Sequence, residues 1–300
     1  MFTQRDFPMF RSIIEGRLKQ TSSGCKGFSA ARTWPGIGEN PLIYSSQRVL
    51  VVLILIVLST AFVGDLLAAD FRVENRVFFG KEKELVSKST TIFCGGVVYD
   101  FLDDPEEIII FDKARDRFLL LDVARSVKTE LTTDEVRRFM ARLKSWALQH
   151  SEPVLKFMGD PKFDKKLDEA SSELTFSSQW MTYRLTEIDA ESEDIADQYH
   201  EFCDWHAKLN TLLSPGGRLP FARMVINKEL HQRQQLPDKV ELTLRLKSGM
   251  TPTKVKMYSE HLLVRRLVES DRRRVANAGQ FMATFDSVSF AEYQKKIPAK

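Results

Sequence analysis

The chain has few of the residues from which common active sites are built. Three cysteines (Cys25, Cys94, Cys203) and five histidines are spread over 300 residues. Only Cys94 and Cys203 lie on the carboxyl side of the chain's one long apolar run, so a disulfide framework is excluded. They form either one bridge or two buried thiols, since each sits in an apolar stretch. No glycine-rich phosphate loop is present, because Gly95-Gly96 and Gly216-Gly217 lack a following Lys-Ser/Thr and the strand-to-helix context. There is no Gly-x-Ser-x-Gly elbow, no CxxC and no HxxxH. These gaps lower the expectation of an enzyme, supply no cofactor motif and leave the catalytic and ligand-binding residues unassigned.

Charge of one sign is also lacking where it would matter. The net charge is +3, but residues 1–69 carry seven Lys/Arg and four acids, which leaves 37 basic and 37 acidic residues from Asp70 onward. A neutral domain is not built to hold nucleic acid. With 43% hydrophobic and 28% charged residues, the composition is that of a globular protein.

One long apolar run is present. Val49 to Leu58 is ten aliphatics, and the stretch free of charge continues to Gly64, 16 residues in all. That is longer than most signal h-regions and shorter than a comfortable span. Arg48 precedes it, and Leu67-Ala68-Ala69 supplies the small residues that a signal peptidase accepts. All seven early cations lie on its amino side, which places that side in the cytoplasm and exports the remainder of the chain. Residues 49–69 are therefore expected to be a signal peptide or a membrane anchor. The tail 1–48, rich in turn residues and aperiodic, is expected to be disordered. Translation starting near Tyr44–Arg48 would turn the segment into an ordinary signal peptide. The exported domain is residues 70–300, placed in the periplasm or held at the membrane.

The domain opens with strand patterns. Phe71, Val73 and Val77 recur at a spacing of two. Leu85–Phe93 and Val97–Leu102 flank the turn Cys94-Gly95-Gly96. Glu107–Phe111 and Phe118–Asp122 form a hairpin, and Val123–Leu131 extends the last strand. Thr132 and Glu135 have the spacing of a capping box, and Val136, Phe139, Met140, Leu143 and Ala147 give the helix an apolar stripe. A loop comes next, then the hairpin Leu174–Ser177/Met181–Ile188. A second helix runs over 192–213 and a third from Pro220, with Phe221, Met224 or Val225, and Leu230 facing inward. Leu236-Pro237 stops that helix. Val240–Leu246 alternates as a strand, Val255–Val268 is one strand or a hairpin, and Ser270–Phe285 and Ser289–Lys296 are helical. The fold class is α+β: a curved antiparallel sheet, shaped to form an open half-barrel, with several helices packed on one face.

Three clusters invite chemistry. His200, Cys203, Asp204 and His206 are metal-type side chains on the second helix, but His200 and His206 lie about 240° apart on the helical wheel, so the four cannot converge on one ion. A polar helix face is the expectation, with no metal site. With Phe202 at the centre of the buried stripe, Ile195, Tyr199, His206, Leu209 and Leu213 lie inside it, Trp205 flanks it, and His200 falls on the side that water reaches. The acidic turn Asp103-Asp104-Pro105-Glu106-Glu107 lacks the ligand alternation of a calcium loop. Arg265-Arg266 and Arg272-Arg273-Arg274 offer a basic patch to anionic lipid or phosphate, or are a solvated helix face.

The segments Thr91–Phe101, Glu107–Asp112, Phe118–Asp122, Tyr199–Trp205, Leu209-Asn210 and Leu219–Arg223 resemble those of uncharacterised exported proteins from planctomycete bacteria. That resemblance spans nearly all of residues 70–300 and implies location and lineage, not activity. The order of strands, Gly turn, Val-Tyr-Asp, hairpin and Leu-Leu-Asp is also similar to the start of periplasmic lipoprotein-carrier (LolA-like) domains. It implies a half-barrel holding acyl chains, with lipid or lipoprotein as partner and no residue to carry over. Three functions remain open: an envelope protein binding an apolar or lipid-like ligand, an exported hydrolase, and a structural or interaction module. An apolar cavity favours the first, a cleft with convergent acids and a histidine the second, and a solidly packed concave face the third.

Overall fold

A computed structural model describes residues 69–80, 84–214, 218–248 and 251–295. The tail 1–48 and the apolar segment, apart from Ala69, lie outside the described residues. No described helix is long and apolar enough to cross a membrane.

The domain is α+β, as its strand and helix periods predict. Twelve strands form one sheet in the order β12-β6-β5-β4-β3-β2-β1-β11-β10-β9-β8-β7. Two meanders meet at its centre. The first is β1 (Phe71–Phe79), β2 (Glu84–Cys94), β3 (Val97–Leu102), β4 (Glu107–Asp112), β5 (Arg117–Asp122) and β6 (Val127–Thr132). The second is β7 (Asp164–Asp168), β8 (Glu173–Ser177), β9 (Met181–Asp189), β10 (Gln235–Ser248) and β11 (Thr251–Val264). Every pairing is antiparallel except that of the short β12 (Asp286–Ser287) with β6. β1 joins the halves, with Asn75 opposite His261 on one side and Ser89 on the other. The strands of 71–132 and 235–264 thus share one sheet, and that sheet stays open, ending on β7 and β12.

Local chemistry sets the turns and caps. Gly95 and Gly96 both have positive φ, 59° and 75°, as a two-residue hairpin with the right twist requires. Helix α1 (Thr133–Gln149) begins with the predicted capping box: the Glu135 amide donates to Thr132 Oγ1 at 3.2 Å, and Glu135 Oε2 accepts from the Thr132 amide at 2.8 Å. Such a cap is worth about 1 kcal/mol.

Five helices face one side of the sheet: α1, α2 (Pro153–Gly159), α3 (Glu193–Leu213), α4 (Phe221–Gln232) and the short α6 (Phe290–Tyr293). Two apolar clusters lie beneath them. Under α1, α2 and α4 is a cluster of Met140, Met158, Tyr183, Ile226, Leu242, Met257 and their neighbours. Under α3 lies one of Phe71, Phe93, Phe111, Phe118, Phe202 and Leu209. Several helices do pack on one face, and α5 (Glu269–Thr284) adds cover to the opposite face, on Ile92, Phe101, Ile108, Ile110, Leu119 and Leu121. Coverage of both faces is why β4 and β5 read as unbroken apolar runs. The β10 strand has one covered face and alternates instead.

Other expectations shift locally. Val123–Ser126 is a turn, so the strand expected over Val123–Leu131 begins at Val127. The loop after α1 contains α2 and β7. Helix α4 turns Ala222, Ile226, Asn227 and Leu230 inward and leaves Val225 exposed, because its axis leans on the β9–β10 side of the sheet. Leu236-Pro237 lies inside β10, at a point where the β9 register shifts and no proline N–H is needed. Cys94 and Cys203 are both free; Cys203 is buried and Cys94 half-buried.

Candidate functional site

Two features of the helical side of the domain carry chemistry: a surface cleft between α3 and α4, and a buried polar row on the sheet below.

The cleft encloses about 590 Å³. Helix α3 lends it Asp197, His200, Glu201 and Asp204, which share one side of the helix at spacings of three and four. Helix α4 lends Phe221, Met224, Val225, Asn227 and His231, and Gly159-Asp160-Pro161 closes one end. The chain passes close to α1 there: a Cβ on Gly159 would stand 3.0 Å from that of the fully buried Ala147.

The polar side chains are cross-linked over the seam between the helices. Asp197 Oδ1 is 2.5 Å from His231 Nε2, and Asp204 Oδ1 accepts from Asn227 Nδ2 at 2.8 Å. Lys113 Nζ donates to Glu201 at 2.7 Å. His200 lies deeper, its ring 5.4 Å from that of His231. Its Nε2 donates to the Gln235 carbonyl at 2.8 Å, which leaves Nδ1 as an acceptor, buried and without a partner. Burial lowers the His200 pKa to about 4, partly opposed by that backbone bond, so the ring is neutral at pH 7. Burial also raises the Asp204 carboxyl above its ordinary range, against the Asn227 hydrogen bond.

The expectation that water reaches His200 is therefore corrected: its residue is only 4% exposed. A wheel with one buried stripe describes only the sheet side of α3. Helix α4 packs along a second side, and that neighbour covers His200. Cys203 is buried too, and its thiol is pushed up to about 11 by burial, so it is a packing residue rather than a nucleophile. Trp205 does flank the stripe, against Phe111 and Phe118 at 6.1 and 6.0 Å, with Lys208 Nζ 4.4 Å from its ring centre. Among the described residues no three His, Cys, Asp or Glu side chains are arranged to hold a metal.

His206 belongs to the second feature. Six inward positions of the central strands are polar: Ser259 and His261 on β11, Asn75 on β1, Ser89 and Thr91 on β2, and Asp100 on β3. All are buried. They form a chain running across the strands. Ser259 Oγ lies 2.8 Å from His261 Nε2, and His261 Nδ1 lies 2.9 Å from Asn75 Oδ1. Asn75 Nδ2 donates to Ser89 Oγ at 3.3 Å and Thr91 Oγ1 at 3.1 Å, and Thr91 Oγ1 donates to Asp100 Oδ1 at 2.7 Å. His206 of α3 ends the chain, its Nε2 3.3 Å from Asp100 Oδ2 and its Nδ1 3.2 Å from Asn210 Nδ2. Burial pushes the Asp100 carboxyl up, but the bonds from His206 and Thr91 outweigh it and hold it below the ordinary range. Burial leaves His261 well below the usual histidine range, hence neutral. The row separates the two apolar clusters and fixes how α3 crosses the sheet.

The remaining clusters are surface ion pairs. Asp103 faces Lys88 at 3.2 Å and Arg274 at 4.0 Å, and Arg265 pairs with Glu191. Arg274 stacks on Phe101 at 4.4 Å, and Arg272 donates to the Leu267 carbonyl. Such pairs are worth about 0–1 kcal/mol each. No protein-family model matches the chain, and no curated protein matches it at a significant level.

Proposed function

We propose that the chain is an exported envelope protein whose domain binds a small amphiphilic ligand in the cleft between α3 and α4. The single observation that carries this is the lining of that cleft. Phe221, Met224, Val225 and Pro161 offer an apolar bed, and Asp197, Asp204, Asn227 and His231 stand along one wall as polar anchors. Its volume of about 590 Å³ falls in the range of ligand pockets. Export rests on the apolar run after Arg48 and on the cations that precede it. The half-barrel form of the sheet belongs to the same proposal. It is supported by the single open sheet and by five helices on one of its sides. The interior between sheet and helices is filled by the two apolar clusters, which on its own favours a structural or interaction module, so the ligand is assigned to the helical cleft alone and not to the concave face.

The Asp197–His231 contact favours a second reading, an exported hydrolase in which His231 activates water and Asp197 orients the ring. Among the described residues no Ser, Thr or Cys lines the cleft, so this chemistry would use water directly.

One experiment separates the two. Val225→Trp fills the cleft from an exposed position, and His231→Gln removes the base while leaving the apolar bed. A binding protein loses retained ligand with the first change and keeps most of it with the second. A hydrolase loses turnover completely with His231→Gln. A Val225→Trp protein that retains its ligand in full would remove the cleft from the account.

A further inference from the structure

The seam between α3 and α4 contains polar atoms that the protein leaves unanswered. Arg223, one turn before Asn227 on α4, has both terminal nitrogens, Nη1 and Nη2, buried and without a hydrogen-bond partner. Asn227 Oδ1 and His200 Nδ1, on the cleft lining, are also buried and unpartnered, but both are acceptors and do not recruit an anion. Guanidinium is always charged at accessible pH, so an isolated buried one is disfavoured until an anion meets it. The charge of Arg223 acts on Tyr199 and Cys203 of α3, on His261 of β11 and on Arg218, which is itself buried. Among the described groups it perturbs, one is a carboxylic acid, Asp204, whose Oδ1 is already engaged by Asn227. Arg223 and Arg218 set two guanidinium charges against the one Asp204 carboxylate, and the neutral histidines add none, so the junction carries an excess of positive charge that water alone would not balance.

We propose that this junction is an anion site, in which the paired Nη1 and Nη2 of Arg223 take two oxygens of a carboxylate or phosphoryl group. Arg rather than Lys suits that task because its two donors are parallel and planar. Arg223 is not itself among the residues that line the cleft, although its neighbours His200, Asp204 and Asn227 are.

The test is thermal melting of the full-length chain in chloride, phosphate, acetate and octanoate at matched ionic strength. At about a hundredfold excess over Kd, the anion that fits raises the Tm by roughly 5–10 °C. Arg223→Met, which keeps the stem and removes the charge, abolishes that rise and melts no lower than the wild type in chloride. If Arg223→Met does not fold, Arg223→Lys replaces it and must weaken the response at least tenfold. A response to phosphate alone assigns a phosphoryl group. A response to octanoate above acetate assigns the head of an amphiphile. A wild type that responds to no anion, or a response that survives unchanged in the Arg223 variants, overturns the proposal.

Discussion

Asp100 is where the polar row is most exposed to a single change. Its side chain is buried, takes the Thr91 hydroxyl at 2.7 Å and faces the His206 ring at 3.3 Å. Asp100→Ala removes the acceptor for both and leaves two buried donors unanswered. Losing two hydrogen bonds to one buried carboxylate, at about 1.5–3 kcal/mol each, costs about 3–6 kcal/mol. For a domain of this size each kcal/mol moves the Tm by roughly 2–4 °C, so the variant should melt about 6–24 °C lower. Asp100→Asn keeps an acceptor in the same place and loses only the charge assistance, for about 1–2 kcal/mol. The assay is urea unfolding at pH 7 with both variants, with His206→Gln and with the double variant Asp100→Asn/His206→Gln. The interaction term of the cycle should be at least about 0.5 kcal/mol, since the two side chains touch. An Asp100→Ala protein within about 1 kcal/mol of the wild type would show that the row does not hold α3 to the sheet.

Acid should weaken the fold through His200. Its pKa falls from an ordinary 6.5 to about 4 on folding, so the unfolded chain binds more protons between those values and stability falls as the pH drops through that window. The full effect is roughly 3 kcal/mol, and His200→Gln should flatten the dependence of the urea midpoint between about pH 7 and 4.5. His200→Ala at pH 7 should lose about 1–3 kcal/mol by uncovering the Gln235 carbonyl, where a solvated residue would lose almost nothing. Trp205→Ala should destabilise by roughly 2–4 kcal/mol, read as a melt, because the indole packs on Phe111 and Phe118 while one edge stays wet. Gly159→Ala should lower the Tm by pressing its methyl on Ala147.

The architecture is legible in the sequence and the site is not, for physical reasons. Alternation in Phe71–Val77 and Val240–Leu246, the Gly95-Gly96 turn, the Thr132 cap and the stripe of α3 are local signals, and each marks its element. Apolar runs such as Ile108–Phe111 identify strands without saying which faces are covered, so the side of the sheet that α5 takes is not written in them. His200 defeats the helical wheel because a wheel marks one buried stripe and cannot register a second neighbour such as α4. The polar row has a faint signal: Asn75 interrupts Val73 and Val77, and Ser259 and His261 sit between Met257 and Leu263, all at inward positions. That these six residues align across four strands depends on register, which pairs residues far apart in the chain. Arg223 has no local signal at all. Its significance lies in lacking a partner, which only the packed interior reveals.

The most direct measurement is native mass spectrometry of the wild-type chain isolated from its host cells, beside Val225→Trp. A binding domain predicts an adduct of defined mass on the wild type that is missing from the filled-cleft variant, with equal melting of the two once the wild type is stripped of its ligand. A wild type that carries nothing, or an adduct held equally by both proteins, would contradict it.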